Sequence, residues 1–156
     1  MTKLGKKGKV KNFFKCLFIC LIIGFIWGNS MLPGAESSEF SGFFTKTFIN
    51  IFDKLFGITL EARLVGFFIR KLAHFSEYFI LGFCEFWFFK PKLYFTLPFG
   101  LIVAGIDEAI QRFTPGRCGC LSDVCIDFSG YFVGTLVIMG IYFLIRRREQ
   151  KKKEIF

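Results

Sequence analysis

Four long apolar runs, separated by charged or turn-forming residues, constrain this chain more than any other feature. A helix needs roughly 20 mostly apolar residues to cross the hydrocarbon core of a bilayer. Runs of that length lie at about 13–32, closed by Pro33 and Gly34; about 67–89, ended by Lys90, Pro91 and Lys92; about 93–111; and about 123–145, ended by Arg146, Arg147 and Arg148. The pattern predicts an all-α, polytopic membrane helix bundle with about four transmembrane helices. It divides the chain into a basic tail at 1–12, one membrane domain at 13–145 and a second basic tail at 146–156. The 156 residues suffice for one such unit and not for two.

Hydrophobic residues make up 53% of the chain and charged residues still 21%, so the two classes must be segregated. Lys3, Lys6, Lys7, Lys9, Lys11 and Lys15 crowd the start, and Arg146, Arg147, Arg148, Lys151, Lys152 and Lys153 crowd the end. Each basic tail abuts an apolar run, so anionic membrane lipid is the simpler partner and nucleic acid is not expected. The apolar core after the first tail is longer than that of a signal peptide, and Gly28 to Pro33 makes a poor cleavage site; an uncleaved anchor is expected. Sidedness follows from Lys and Arg. With the N-terminus inside, fourteen basic residues face the cytoplasm and seven (Lys46, Lys54, Arg63, Arg70, Lys71, Arg112 and Arg117) face outward. A multi-pass protein of the cell membrane with both termini cytoplasmic is therefore expected.

The stretch 33–66 links the first two spans. It is polar from Gly34 to Gly42 and then amphipathic, with Phe44, Phe48, Phe52 and Leu55 at three- and four-residue steps. This predicts a short amphipathic helix, either in the headgroup region or packed over the bundle.

Three groups of residues do not belong in lipid, where ionisable side chains are costly and usually functional. The first surrounds His74, the only histidine. Arg70, His74 and Glu77 share one helix face, as do Lys71, His74 and Tyr78, and Glu77 one turn away could fix the imidazole tautomer. The second is Asp107, Glu108, Gln111 and Arg112, with Glu108 and Arg112 spaced as an i, i+4 pair. Beyond it a Pro115-Gly116 turn presents Arg117, whose fork suits phosphate, carboxylate or one of the acids. The third is Asp123 and Asp127 followed on the same stripe by Gly130 and Gly134, small residues that permit close helix approach. Ser122 is placed to cap this helix. Under the expected topology all three groups reach the outer face. Glu85 lies near the inner end of the second span, where Lys90 and Lys92 could screen it, and is expected to be interfacial.

Of six cysteines, Cys16, Cys20 and Cys84 fall in spans and serve as small apolar residues. Cys118 and Cys120, one residue apart, have neither the usual metal spacing nor room for an unstrained disulfide, although a zinc site with His74 is conceivable. With Cys125 they are expected to be free or partly oxidised thiols.

The pattern Lys71-x-x-His74-Phe75-x-Glu77-Tyr78-x-x-Leu81-Gly82, then Asp107-Glu108-x-x-Gln111-x-Phe113-x-Pro115-Gly116-Arg117, then Asp123-x-x-x-Asp127-x-x-Gly130-x-x-x-Gly134 resembles the VanZ-like family. The three blocks in this order are specific where one alone is not, and the resemblance covers roughly 13–145. It implies a small bacterial cell-envelope membrane protein in a family whose namesake is associated with resistance to the glycopeptide teicoplanin; it implies no particular reaction. Cys118 and Cys120 depart from the family, which commonly has small polar residues after the arginine.

Two functions fit. One is a non-catalytic envelope protein whose outer polar site affects glycopeptide access or a lipid-linked wall precursor. The other is a membrane-embedded enzyme acting on a lipid-linked or glycan substrate. In it His74 and Glu77, with Asp107 and Glu108, would carry acid–base chemistry, and Arg70, Lys71, Gln111 and Arg117 would hold the substrate. Asp107 and Glu108 with Asp123 and Asp127 could bind a divalent metal such as magnesium. A channel is disfavoured, because the inner halves of the spans are almost wholly apolar. The sequence indicates no oligomeric state.

Overall fold

The structure, a computed structural model, describes residues 3–58 and 60–155, except for the side chains of 3–7, 38, 40 and 152–155. It is all-helical: α1 (Lys3–Met31), α2 (Gly34–Phe56), α3 (Ala62–Phe89), α4 (Leu93–Phe113) and α5 (Leu121–Ile155). Segments Gly8–Met31, Leu93–Phe113 and Leu121–Lys151 are long and apolar enough to cross a membrane. The fourth expected span, α3, has the length, but Arg63, Arg70, Lys71, Glu77 and Glu85 dilute its apolar character.

The expected tails do not hang free. The helix of α1 already runs from Lys3, and that of α5 continues to Ile155, because Lys, Arg, Gln and Glu are good helix formers. The side chains of Lys3, Lys6, Lys7, Lys152 and Lys153 lie outside the described residues. The linker also differs: α2 starts at Gly34, not near 43, so its polar first part is helical too. It ends at Gly57, whose left-handed φ of 63° suits glycine and whose N–H bonds back to Asp53. Thr45 packs on Gly66 of α3, while Phe44, Phe48 and Leu55 remain exposed.

Close backbone contact between α3 and α5 organises the bundle. A Cβ on Gly130 would strike the Phe75 carbonyl, one on Gly134 the Phe79 carbonyl, and one on Gly82 the Tyr131 carbonyl. The partner numbers rise together (75 with 130, 79 with 134), so α3 and α5 run parallel. The glycine stripe expected from the sequence is this seam. α1 runs antiparallel to α3: Lys15 Nζ donates to the Phe88 carbonyl at 2.9 Å, and Asn29 Nδ2 donates to Glu77 Oε1 at 2.8 Å. α4 runs alongside α1, with Gln111 Nε2 donating to Ser30 Oγ at 3.2 Å.

The interior is an inside-out version of a soluble core. Ile19, Ile26, Tyr78, Leu81, Val103, Ala104 and Tyr131 form its apolar part. Ser30, Glu85, Thr96, Asp107, Glu108, Gln111, Asp127 and Thr135 are buried as well. Phe13, Phe25, Phe68, Leu72, Phe95 and Ile102 point outward, as suits a chain whose solvent is hydrocarbon. Glu85 is not interfacial as expected: it is buried and accepts a 2.7 Å hydrogen bond from the Tyr131 hydroxyl. Lys90, which might have screened it, instead lies over the Tyr142 ring at 4.1 Å. The half of the bundle around Glu85 is thus less uniformly apolar than the sequence suggests.

Candidate functional site

One end of the bundle gathers the last turns of α1 and α4, the first turns of α5, the Arg70–Glu77 part of α3 and the 114–120 loop. The three polar groups picked out in the sequence all lie there. The α1–α2 turn closes over them: Gly34 N–H donates to the Pro115 carbonyl at 3.0 Å, and a Cβ on Gly34 would strike the Gly116 backbone. Gly116 has φ 74°, a conformation glycine adopts freely.

His74, Asp107 and Asp127 form the centre. One ligand-capable atom from each lies within 4.8 Å of the others. His74 Nδ1 is 3.9 Å from Asp127 Oδ1, beyond hydrogen-bond reach. His74 Nδ1, Asp107 Oδ1 and both Asp127 oxygens are buried without a hydrogen-bond partner. Asp107 is held from behind by Gln111, whose amide donates to Oδ2 at 3.2 Å and also reaches Ser30.

This arrangement redistributes the expected roles. The carboxylate facing His74 comes from Asp127 on α5, not from Glu77 one turn away, because Glu77 Oε1 is taken by Asn29 of α1. Glu108 and Arg112 do not pair as their spacing suggests: Glu108 accepts a hydrogen bond from the Cys120 N–H, and Arg112 packs by Gly119. Asp123, expected beside Asp127 as a metal ligand, is bound to Lys71. The all-oxygen set of Asp107, Glu108, Asp123 and Asp127 is therefore not assembled; a mixed set with the imidazole is. Ser122 does not precede the helix as a cap, since α5 starts at Leu121; its hydroxyl meets Cys120 Sγ and Asp123 Oδ1, both at 3.2 Å.

Arg117 does not pair directly with an acid either. Its Nε donates to the Leu32 carbonyl at 3.0 Å and an Nη to the Asn29 carbonyl at 2.8 Å. It thereby satisfies orphan carbonyls at the C-terminus of α1, where a cation also suits the helix dipole. Burial pulls its guanidinium below the ordinary value, while the carboxyls of Asp107 and Glu77 pull it back up. Arg70 remains exposed at the rim.

Two adjoining clefts open at this end. A polar one of about 320 Å³ is lined by Arg70, Lys71, His74, Gln111, Arg117 and Asp123 among others. A more apolar one of about 520 Å³ is lined by Phe25, Leu32, Phe44, Ile69 and Ala73, and shares Ser37, Arg70, His74 and Arg117 with the first.

Cys118, Cys120 and Cys125 are free and exposed; Cys118 lines the polar cleft with His74, but none of the three joins the His74 centre. Hydrogen bonding from Ser122 holds the Cys120 thiol below the ordinary range. A zinc site joining them to His74 is not what the fold assembles.

Several contributors escaped the sequence reading. Asn29 and Ser30 stand at the end of the first apolar run, where polar residues pass for an ordinary interfacial exit. Thr114, which donates to the Ser30 carbonyl at 3.0 Å, passes for loop. Two adjacent hydrogen-bonding residues in the last turn of a span were the available signal for the first pair; for Thr114 there was none.

No curated protein and no solved structure is significantly similar to this chain. A family model described as VanZ/LLP1 matches residues 14–146. That match takes in α2, α3 and α4 whole, most of α1 and α5, and every residue of the polar end, and three of the helices are apolar enough to span a bilayer; the chain is a membrane protein belonging to the VanZ/LLP1 family.

Proposed function

We propose that this protein crosses the bacterial cell membrane four times with both termini in the cytoplasm. Its outward polar end binds the anionic headgroup of a lipid-linked wall precursor, and in doing so lowers susceptibility to glycopeptides such as teicoplanin. The observation that carries this reading is the pair of joined clefts. Arg70, Lys71 and Arg117 surround a polar pocket that continues into an apolar one between α1, α2 and α3. A molecule with a phosphate or carboxylate head and a hydrocarbon tail matches both halves, the exposed guanidinium of Arg70, which lines both clefts, serving the head.

The packing supports α3 as the fourth span. It follows α5 from Lys71 beside Asp123 to Lys90 over Tyr142, so the depth α5 crosses, α3 crosses too. The excess of Lys and Arg at the opposite end supports the sidedness. The exposed Phe44, Phe48 and Leu55 of α2 suit an interfacial helix beside the clefts.

One observation favours a second reading, a membrane-embedded enzyme on the same substrate class: unpartnered carboxylates facing an imidazole are the parts of an acid–base or metal-assisted centre. A single experiment separates the two. His74, Glu77, Asp107, Asp123 and Arg117 are replaced singly by alanine, membrane expression is verified, and glycopeptide sensitivity is measured together with the pool of lipid-linked precursors. Binding predicts lost protection with an unchanged lipid pool. Catalysis predicts an accumulating lipid species. Wild-type behaviour in all five variants would sink both.

A further inference from the structure

We infer that His74, Asp107 and Asp127 form a site for one divalent transition-metal ion, of the zinc or manganese type, beside the polar cleft that His74 lines. The argument begins with charge. Asp107 and Asp127 are 0% and 1% exposed, so as carboxylates they need a counter-charge. The nearby cations are committed elsewhere: Lys71 to Asp123, and Arg117 to the carbonyls of Leu32 and Asn29. Glu77 and Glu108 each hold one oxygen on a donor, Asn29 and the Cys120 N–H, and keep the other buried and unpartnered; of these acids only Asp127 has neither oxygen bonded. Asp107 Oδ1, both Asp127 oxygens and His74 Nδ1 are left facing one another with no hydrogen-bond partner.

Geometry continues the argument. Two ligands of one ion, each about 2.1 Å away in tetrahedral disposition, lie about 3.4 Å apart. That is too far for a hydrogen bond and near the 3.9 Å between His74 Nδ1 and Asp127 Oδ1. All three residues bring a donor within 4.8 Å of the others, so small side-chain movements close the set. The supports that metal ligands need are also present: Gln111 fixes Asp107 through Oδ2 and leaves Oδ1 turned to the gap. The ligands come from α3, α4 and α5, so an ion would also cross-link three helices.

Ligand chemistry narrows the ion. An all-oxygen set would suit magnesium or calcium; an imidazole nitrogen with two carboxylates shifts preference toward zinc, manganese or iron. Three protein ligands leave a coordination position free, and His74 also lines the polar cleft with Arg70, so the ion would lie beside a phosphate held there by Arg70. The assignment does not depend on the headgroup reading, since the ion-binding set is complete without lipid.

Two explanations compete, a metal ion and protons shared among the acids. The test uses full-length protein in detergent, with the five exposed cysteines Cys16, Cys20, Cys118, Cys120 and Cys125 changed to serine so that exposed thiols do not take up metal. After dialysis against EDTA, binding of zinc chloride and manganese chloride is measured by calorimetry and by elemental analysis. The expected result is one equivalent per chain of one of these ions, with affinity at least about 100-fold weaker in Asp127→Asn and Asp107→Asn and unchanged in Glu85→Gln. An ion-dependent rise in melting temperature should vanish in the same variants. His74→Gln serves the same purpose should an aspartate variant not fold. Absence of stoichiometric binding of either ion, or equal affinity in the folded variants, would overturn the assignment in favour of protons. Loss of metal binding with lipid capture intact would separate this inference from the proposed function.

Discussion

Glu85 and Asp127 are both buried on the α3–α5 seam, one helical turn apart when measured along α5 from Tyr131 to Asp127. Their situations differ. Glu85 is closed by one short hydrogen bond from Tyr131 and sits among Leu81, Phe86 and Tyr131 as a plug. Asp127 has two unpartnered oxygens, a histidine just beyond bonding distance and nearby a second aspartate, Asp107, with one unpartnered oxygen. A buried carboxyl that serves packing is satisfied inside the protein; one left open is waiting for something that is not protein. The half of the seam around Glu85 is therefore finished and the half around Asp127 is not.

The strongest way to break this comparison is to pry the seam apart. Gly134→Leu would drive a side chain into the Phe79 backbone, which cannot yield as a flexible side chain can. Overpacking of this kind costs about 3 kcal/mol, enough to remove most folded protein from detergent extracts followed by size-exclusion chromatography. Both halves should fail together. A well-folded Gly134→Leu protein would mean that α3 and α5 are not held at this distance.

Tyr131→Phe tests the finished half. It removes the hydrogen bond that Glu85 accepts from Tyr131 while preserving the ring, and should cost about 2 kcal/mol, read as a lower melting temperature. The double variant Tyr131→Phe, Glu85→Gln should recover part of that loss, because an amide is cheaper to bury than a carboxylate.

Arg117→Lys sharpens the comparison at the polar end. A lysine keeps the charge but loses the fork that reaches two carbonyls of α1, for an expected loss of about 1 kcal/mol. Stability unchanged in this variant would show that the guanidinium is free for other work.

The smallest effect is expected at Asp127. In the presence of chelator, Asp127→Asn should be within about 0.5 kcal/mol of wild type or more stable, since it removes a buried charge that nothing compensates. A loss comparable to that of Tyr131→Phe would place Asp127 among the structural carboxyls and dissolve the contrast.

The sequence revealed the bundle because length and apolarity decide what a segment does in lipid, and the Gly130 and Gly134 stripe revealed which face of α5 packs. It also brought the correct polar blocks to one end, since alternating spans place the start of α3, the end of α4 and the start of α5 together. Partner choice was not legible. Spacing along one helix suggested Glu77 for His74 and Arg112 for Glu108, but neighbours on other helices compete for the same atoms, and Asn29 and the Cys120 N–H were better placed. The burial of Glu85 was hidden for the same reason: its partner Tyr131 is 46 residues away. The extent of α2 was missed because Ser, Glu and Gly from 34 to 42 have the composition of a loop, and tertiary contact at Gly34 and Thr45 helps hold the helix there.

The sidedness of the polar end is the claim on which its proposed role depends, and the native thiols offer a direct test. Two single-cysteine proteins are needed, one keeping Cys118 and one carrying Gly8→Cys, with every other cysteine changed to serine. Both positions are exposed, at opposite ends of the bundle. Intact cells are treated with a membrane-impermeant maleimide before and after permeabilisation. Labelling of Cys118 in intact cells, with the Gly8→Cys thiol protected until the membrane is opened, is the predicted result; the reverse pattern would contradict the account.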